Sequence, residues 1–371
     1  MKIYLFNNNI QVGRNKLVIS YDTVTGEKKE SKFLGFIAEH RSAIRQELFN
    51  YLKDPKSLNE KERQFKDHYE MLYDSPSRGG KYVRPGLVLC TTLACGGAIS
   101  DALITAAAME LSEDWILIHD DIEDKSLQRR GKPALHKIYG NELAINAGDA
   151  LHILMWRILL DNSKNHPPEL TLKLFYEMND FLNVTCAGQF LELNYVKSGQ
   201  QIKAEQYYEI IDRKTCWYTI IGPMRLGALH AQAKQQILDS LIEFGLPFGR
   251  AFQIHDDWLN IYSTKTGKEV GGDILEGKRT LLLVHLLDKC SPSENKRINE
   301  IYQLEREQKN DDMVQEIIEL MNKYNVKTWI RSQVEKYATE AQEELAKIPG
   351  LTSEGRAILE DAVELVINRE L

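Results

Sequence analysis

Cysteine is scarce in this sequence of 371 residues: Cys90, Cys95, Cys186, Cys216 and Cys290 are the only five. They are odd in number, scattered, and form no C-x-x-C pair. Neither a disulfide framework nor a zinc knuckle is suggested, and a reducing cytosol fits best. An excess of positive charge is also missing. The formal net charge of -7 argues against a general nucleic-acid binder, because phosphate backbones are gripped by Lys and Arg in surplus. No uninterrupted apolar run approaches the ~18 residues of a membrane span. The apolar start of the chain is broken at Asn7-Asn8-Asn9, too early for the core of a secretory signal. A cytoplasmic protein with no transmembrane segment is therefore expected.

What is present is the balance of a chain able to bury a large core, with 43% hydrophobic and 27% charged residues. Residues 1–34 differ from the rest. Leu17-Val18-Ile19-Ser20-Tyr21 followed by Thr25-Gly26 predicts a short strand and turn, then Glu27-Lys28-Lys29-Glu30 a solvated link. This part reads as an appendage. From residue 35 to 371, apolar residues at three and four spacing predict helices over 36–52, 87–99, 103–118, 143–160, 170–193, 207–231, 237–261 and 281–287, with a charged helical set over 298–368. Short breaks fall at Gly79-Gly80, Gly131 to Pro133, His166 to Pro168, Gly222-Pro223, Gly271-Gly272 and Ser291-Pro292-Ser293. The expected fold is all-α, a single large helical bundle.

Two acidic constellations stand out. In His119-Asp120-Asp121-Ile122-Glu123-Asp124, Asp120 and Asp124 lie one turn apart on one helix face, with Cβ atoms ~5–6 Å apart. Phe252-Gln253-Ile254-His255-Asp256-Asp257-Trp258-Leu259-Asn260 repeats the spacing with oxygen-bearing side chains. An acidic run ordinarily faces solvent. These two sit in apolar segments, where neighbouring carboxylates at about 4 Å repel by roughly 4 kcal/mol at an effective dielectric of ~20, so a positive partner is required. Carboxylate oxygens select a hard ion such as Mg²⁺, bound through one or two carboxylates plus substrate phosphates. His119 and His255 read as packed or hydrogen-bonding residues.

Basic residues punctuate the same stretch. Lys81 and Arg84 follow Gly79-Gly80, whose lack of side chains permits close ligand approach. Arg129-Arg130 could clamp diphosphate oxygens by bidentate bonds or pair with Glu123 or Asp124. Lys214-Thr215, Gly267-Lys268 and Gly277-Lys278 complete the set. Each lysine alone is more often a solvated surface residue. Together with two metal-type patches, they describe a site for two polyanions, one met through metals and one met directly by cations.

The ordered series G-G-K-x-x-R-P at Gly79 to Pro85, D-D-x-x-D at Asp120 to Asp124, R-R-G-x-P at Arg129 to Pro133, Gly188-Gln189, Lys214-Thr215, F-Q-x-x-D-D at Phe252 to Asp257, then Lys268 and Gly277-Lys278, resembles the all-trans polyprenyl diphosphate synthases, which include farnesyl and geranylgeranyl diphosphate synthases. The resemblance implies an isoprenoid-synthase bundle around a central cavity, commonly homodimeric. It implies a prenyltransferase condensing isopentenyl diphosphate with an allylic diphosphate. Asp120, Asp124 and Asp256 would hold three Mg²⁺ ions, with Asp121, Asp257 and Asn260 supporting. Arg129, Lys214 and Lys268 would contact the allylic diphosphate, with Gln189 and Lys278 among the binding residues. Lys81, Arg84 and Arg130 would seat isopentenyl diphosphate. Thr215 and Gln253 would stabilise the allylic cation.

Glu113 departs from the family, which usually carries His or Gln there; it sets an anion before an anion unless it turns away or is protonated. Asn260 stands where Asp is common. Trp115, five positions before Asp120, with medium Ile116 and small Ser112 and Ala108, resembles archaeal-type geranylgeranyl synthases and implies that product. Farnesyl diphosphate synthase is the alternative. A class I terpene cyclase, or a weakly active regulatory subunit, is the further one.

Overall fold

The computed structural model describes residues 19–21, 28–263 and 270–368. Helix dominates. A hairpin of β1 (Ile19–Tyr21) and β2 (Lys28–Glu30) precedes α1 (Lys32–Phe49), so Lys28 to Glu30, expected as a link, is a strand paired with Ile19 to Tyr21. Thr25-Gly26 lies outside the described residues, as do Leu17 and Val18. α1 starts at Lys32 because Ser31 caps it, its hydroxyl accepting from Leu34 N. The same hydroxyl donates to Asp361 at 2.6 Å, tying this corner to the last helix.

Along the chain follow α2 (Lys66–Arg78), α3 (Val83–Ala94), α4 (Leu103–Glu123), the two-residue strands β3 (Gln128–Arg129) and β4 (Lys132–Pro133), α5 (Leu135–Tyr139), α6 (Asn141–Leu160) and α7 (Pro168–Ser198). Next come α8 (Ala204–Ile211), a π-helical segment (Asp212–Ile221), α9 (Gly222–His230) and α10 (Gln235–Tyr262). The chain closes with α11 (Gly272–Glu276), α12 (Leu281–Lys289), α13 (Pro292–Gln303), α14 (Asp311–Lys323), α15 (Val326–Lys347) and α16 (Ser353–Asn368). The predicted break at Gly222-Pro223 is no break. Pro223 occupies the first turn of α9, where a missing N–H is harmless, so the helical path runs on from the π segment.

α4 and α10 are the inner helices. Thr105 to Ser112 are buried without interruption, so the first half of α4 is wrapped on all sides, by α1, α3 and α6. α10 packs between α15 and the π segment. Ile44, Leu48, Leu87, Met109, Leu151, Met155, Phe181 and Phe244 are fully buried in the core they share. Both acidic clusters therefore ride on the two helices that the rest of the bundle holds in place.

α6 is the one helix among the described residues long and apolar enough, by length and composition, to cross a membrane. Asn146, Asp149, His152 and Arg157 interrupt its sequence, which is why no continuous apolar run was evident. One side of it packs against α4.

Two glycines set how closely α7 and α10 approach the π segment. A Cβ on Gly188 would sit 2.5 Å from Lys214 N and 2.8 Å from Arg213 Cβ. One on Gly249 would sit 2.7 Å from Cys216 Cα. Real Cβ atoms do not come so near, so a side chain at either place must move backbone. Gly188→Ala and Gly249→Ala should each cost about 1–3 kcal/mol and lower Tm in calorimetry. An unchanged Tm would mean that the segment can shift freely.

Candidate active site

The first acidic cluster falls in the last turn of α4, with Asp124 as its C-cap, its N–H donating to Asp120 O at 2.8 Å. A helix C-terminus carries partial negative charge, so carboxylates there need cations more than they would elsewhere. Three cations from three elements supply them. Arg129 donates through Nε to Asp121 Oδ1 at 2.9 Å and through Nη2 to the same oxygen, and its Nη2 lies 3.7 Å from Asp120. Lys214 pairs with Glu192 and lies 3.6 Å from Asp120 Oδ1. Lys278 donates to Asp124 Oδ2 at 2.9 Å and lies 2.8 Å from Glu276. Burial pushes Asp124 up to about 7 against the pull of Lys278, with Asp120 adding to the rise.

The turn that delivers the arginines explains R-R-G-x-P. Strands β3 and β4 pair Gln128 with Pro133 and Arg129 with Lys132, leaving Arg130 and Gly131 as a two-residue loop. Both loop residues have positive φ (52° and 74°), as a type I′ turn requires. The tight turn sends the neighbouring arginines to different carboxylates: Arg129 reaches Asp121, while Arg130 donates to Asp114 at 2.9 Å and to Ser75 O at 3.2 Å. The ion pairs of the two arginines go to Asp120, Asp121, Glu113 and Asp114, not to the Glu123 or Asp124 offered by the alternative reading of the sequence.

The second cluster, on α10, is a chain of hydrogen bonds. Thr215 Oγ1 donates to Gln253 Oε1 at 2.7 Å, Gln253 Nε2 donates to Asp257 Oδ1 at 2.7 Å, and Tyr207 OH donates to Asp257 Oδ2 at 2.8 Å. Thr215 belongs to the π segment, a winding that recurs at functional sites. Burial pushes Asp257 up to about 7; the bonds from Gln253 and Tyr207 oppose that, and Asp256 adds to it. Asn260 Oδ1 accepts from Asp273 N at 3.0 Å and its carbonyl from Gly271 N at 2.8 Å, so Asn260 fastens the loop into α11. His255 stacks on Trp258, and His119 reaches Ile145 O at 3.3 Å, the packing roles expected of them.

Of the remaining expected residues, Gln189 donates to Glu123 Oε2 at 2.6 Å across α7 and α4. Lys81 is exposed just ahead of α3. Lys268 lies outside the described residues. Arg84, in the first turn of α3, donates to Thr219 Oγ1 at 2.9 Å and sits 4.4 Å over the Tyr218 ring. Glu113 neither turns away nor is neutralised. Its Oε2 lies 3.0 Å from Arg84 Nη1; burial pushes its carboxyl up, but Arg84 and Arg130 outweigh that and hold it below the usual range.

Sequence reading missed Glu110, Asp114, Glu192 and Tyr207. The first two had a signal: Glu110, Glu113, Asp114, Asp121 and Asp124 recur at helical spacing along α4. Glu192 and Tyr207 had none, since their partners Lys214 and Asp257 lie far along the chain.

Trp115 heads an aromatic row. Its ring lies 4.5 Å from that of His152, whose Nε2 accepts from Trp156 Nε1 at 2.9 Å, and Trp156 lies 4.5 Å from Phe175. The row runs from α4 across α6 to α7. Ile116 is half-buried against the core, while Ser112 and Ala108 are buried one and two turns deeper.

As for a metal, the donors are carboxylate oxygens, which suit a hard divalent ion. Among the described residues no three His, Cys, Asp or Glu side chains are gathered to hold an ion alone.

Comparison with known proteins agrees with this geometry. The polyprenyl synthetase family model matches residues 66–321. A short chain isoprenyl diphosphate synthase from Methanothermobacter thermautotrophicus is 33% identical over 294 residues, 79% of this chain and 87% of the relative. The crystal structure of a geranylgeranyl pyrophosphate synthetase from Pyrococcus horikoshii superposes with a TM-score of 0.79 at 30% identity, over 91% of this chain and 99% of that one. A geranylgeranyl pyrophosphate synthase from Corynebacterium glutamicum, crystallised with isoprenyl diphosphate and magnesium, shares the fold at 24% identity with a TM-score of 0.80, over 92% and 99% of the two chains. A bundle that sets the acidic end of α4 among cations from Arg84 to Lys278 and carries a second acidic cluster on α10, matched by that family over most of its length, belongs to the polyprenyl synthetases, and the chain is a trans-prenyltransferase.

Proposed function

We propose that the chain joins isopentenyl diphosphate to an allylic diphosphate with Mg²⁺, and that its product is geranylgeranyl diphosphate. The observation that carries this reading is the division of cations into two groups. Arg129, Lys214 and Lys278 face the carboxylates at the end of α4, while Arg84 and Arg130 converge on Glu113, about two turns earlier on the same helix. Two cation groups fit two diphosphates. A terpene cyclase, with one diphosphate to hold, has no use for the second.

Asp120, Asp124 and Asp256 would hold Mg²⁺, which when bound neutralises diphosphate charge and makes it a better leaving group. Arg129, Lys214 and Lys278 then release their carboxylates and hold the allylic diphosphate. The allylic C–O bond breaks, and its electron pair leaves with the diphosphate. Thr215 and Gln253, oriented by their mutual bond and by Asp257, place oxygen dipoles toward the allylic cation. The isopentenyl double bond attacks, the new C–C bond forms, and the proton lost from the adduct goes to the released diphosphate. Trp115 closes the path of the growing chain, and the row behind it on α6 and α7 keeps it from yielding.

Leu143, Ile153, Leu160, Leu172 and Tyr176 are large apolar side chains exposed on α6 and α7, the kind of surface that association covers. We assign that face to a homodimer contact. The five unpaired cysteines agree with a reducing, cytoplasmic setting.

Purified chain, incubated with isopentenyl and farnesyl diphosphates and Mg²⁺, should give geranylgeraniol after dephosphorylation and chromatography. Farnesol alone, or alcohols beyond geranylfarnesol, would reject the product assignment. Trp115→Ala should shift the product longer. Sedimentation should give the mass of a dimer; a monomer at micromolar concentration would remove the α6–α7 assignment.

The raised carboxyls predict a linked effect of pH and metal. Asp124 and Asp257 bind protons more tightly folded than unfolded, so their stabilising contribution is full below about pH 4 and is lost as pH rises toward about 7. Mg²⁺ needs the ionised form of Asp124. Adding it should therefore raise Tm more at about pH 8 than at about pH 5.5, by differential scanning fluorimetry; an equal rise at both would show that Asp124 does not ligate it.

A further inference from the structure

We propose that Glu113 is a tethered competitor for the second diphosphate, and so sets how tightly this chain binds isopentenyl diphosphate. The inference rests on the reading of Arg84 and Arg130 as the seat of that substrate. Glu113 lies between the two guanidiniums: Oε2 is 3.0 Å from Arg84 Nη1, and Oε1 is 3.8 Å from Arg130 Nη2. A diphosphate held by both arginines would have to place its oxygens in that gap.

The arginines are fixed by neighbouring groups. Arg84 is held by Thr219 and by the Tyr218 ring, Arg130 by Asp114 and Ser75 O. Asp114 is in turn held by Ser75 Oγ at 2.8 Å. Arg84 Nε and Arg130 Nη2 nevertheless remain buried donors without a hydrogen-bond acceptor. The Glu113 contact to Arg130 is too long for a hydrogen bond, so the carboxylate satisfies Arg84 and leaves Arg130 partly unmet. Donors set in place with no acceptor are what a ligand with more oxygens than a carboxylate would complete.

Charge makes the competition costly to the substrate. The two guanidiniums face Glu113, Asp114 and Glu110, the last 2% exposed, with Oε2 unbonded and Oε1 only 2.8 Å from where a Cβ on Gly80 would stand. Desolvation, reinforced by Glu113 and Asp114, favours the protonated form of Glu110, whereas Glu113 stays ionised. An incoming diphosphate must therefore displace Glu113, which is anchored to α4 and pays no cost of association. If Glu113 stayed beside the diphosphate, two like charges would share a poorly solvated site. A neutral side chain of the same shape removes both penalties.

The test is a split of Michaelis constants. Wild-type chain is assayed first with farnesyl and isopentenyl diphosphates; absence of condensation there would sink the proposed function itself. Given activity, Glu113→Gln should lower KM for isopentenyl diphosphate by about tenfold, roughly one close charge contact at a partly buried site, while KM for the allylic substrate moves less than about twofold. Glu113→Asp keeps the charge but shortens the arm, and should fall between. An isopentenyl KM in Glu113→Gln equal to or above wild type, with the allylic KM unmoved, would overturn the inference, because Glu113 would then be orienting Arg84 and not competing for it. Should Glu113→Gln not fold, the Glu113→Asp shift carries the same decision.

Discussion

A carboxylate taken out of water must find a counter-charge, and this bundle gathers many on one helix. From Glu110 to Asp124, α4 carries acids on the faces that look into the cleft, and the helix adds the negative end of its own dipole. Every cation with a described partner in the cleft answers one of them: Arg84 and Arg130 at Glu113 and Asp114, Arg129 at Asp121, Lys214 at Asp120, Lys278 at Asp124. Much of the rest of the fold follows from bringing those cations in from α3, the β3–β4 turn, the π segment and the loop after α11.

The same pairing prepares the chain for polyanions. Ion pairs that neutralise a cleft do not hold it rigidly shut, because a diphosphate with metal can replace carboxylate for cation at little net change in charge. Burial keeps Asp124 and Asp257 near neutrality in pH, poised between protonated and ionised forms. Around them, the bonds from Thr215 and Tyr207 keep Gln253 and Asp257 from rotating. The site is thus orderly where the reacting carbon would lie and exchangeable where phosphate would lie.

Helix was legible because apolar spacing at three and four survives in nearly every segment, and the chain contains few residues that stop it. The short breaks were legible for the same reason, with two exceptions: Gly222-Pro223 carries turn chemistry, yet Pro223 falls in a first turn and the path continues, and the helix expected over 87–99 stops at Ala94, before Gly96 with its φ of 83°. The β1–β2 pairing was only half visible, since Lys28-Lys29-Glu30 has no apolar alternation and becomes a strand through its partner alone. The acidic patches and their cations were legible as residue types at fixed intervals. Their pairings were not, because charge attracts without regard to sequence distance, and the type I′ turn at Arg130-Gly131 sends adjacent arginines to separate acids.

The sequence by itself determined that this is an all-helical chain with two oxygen-rich clusters, a set of cations in family order, and a large aromatic five residues before the first aspartate. Periodicity and residue chemistry are local properties, and a string of letters carries them whole. Only the tertiary structure decided which cation meets which carboxylate, that Asn260 ties down a loop, that Gly188 and Gly249 let α7 and α10 close on the π segment, and that Glu113 bridges toward both arginines. Those outcomes depend on distances between elements far apart in the chain, and such distances exist only once the helices have packed.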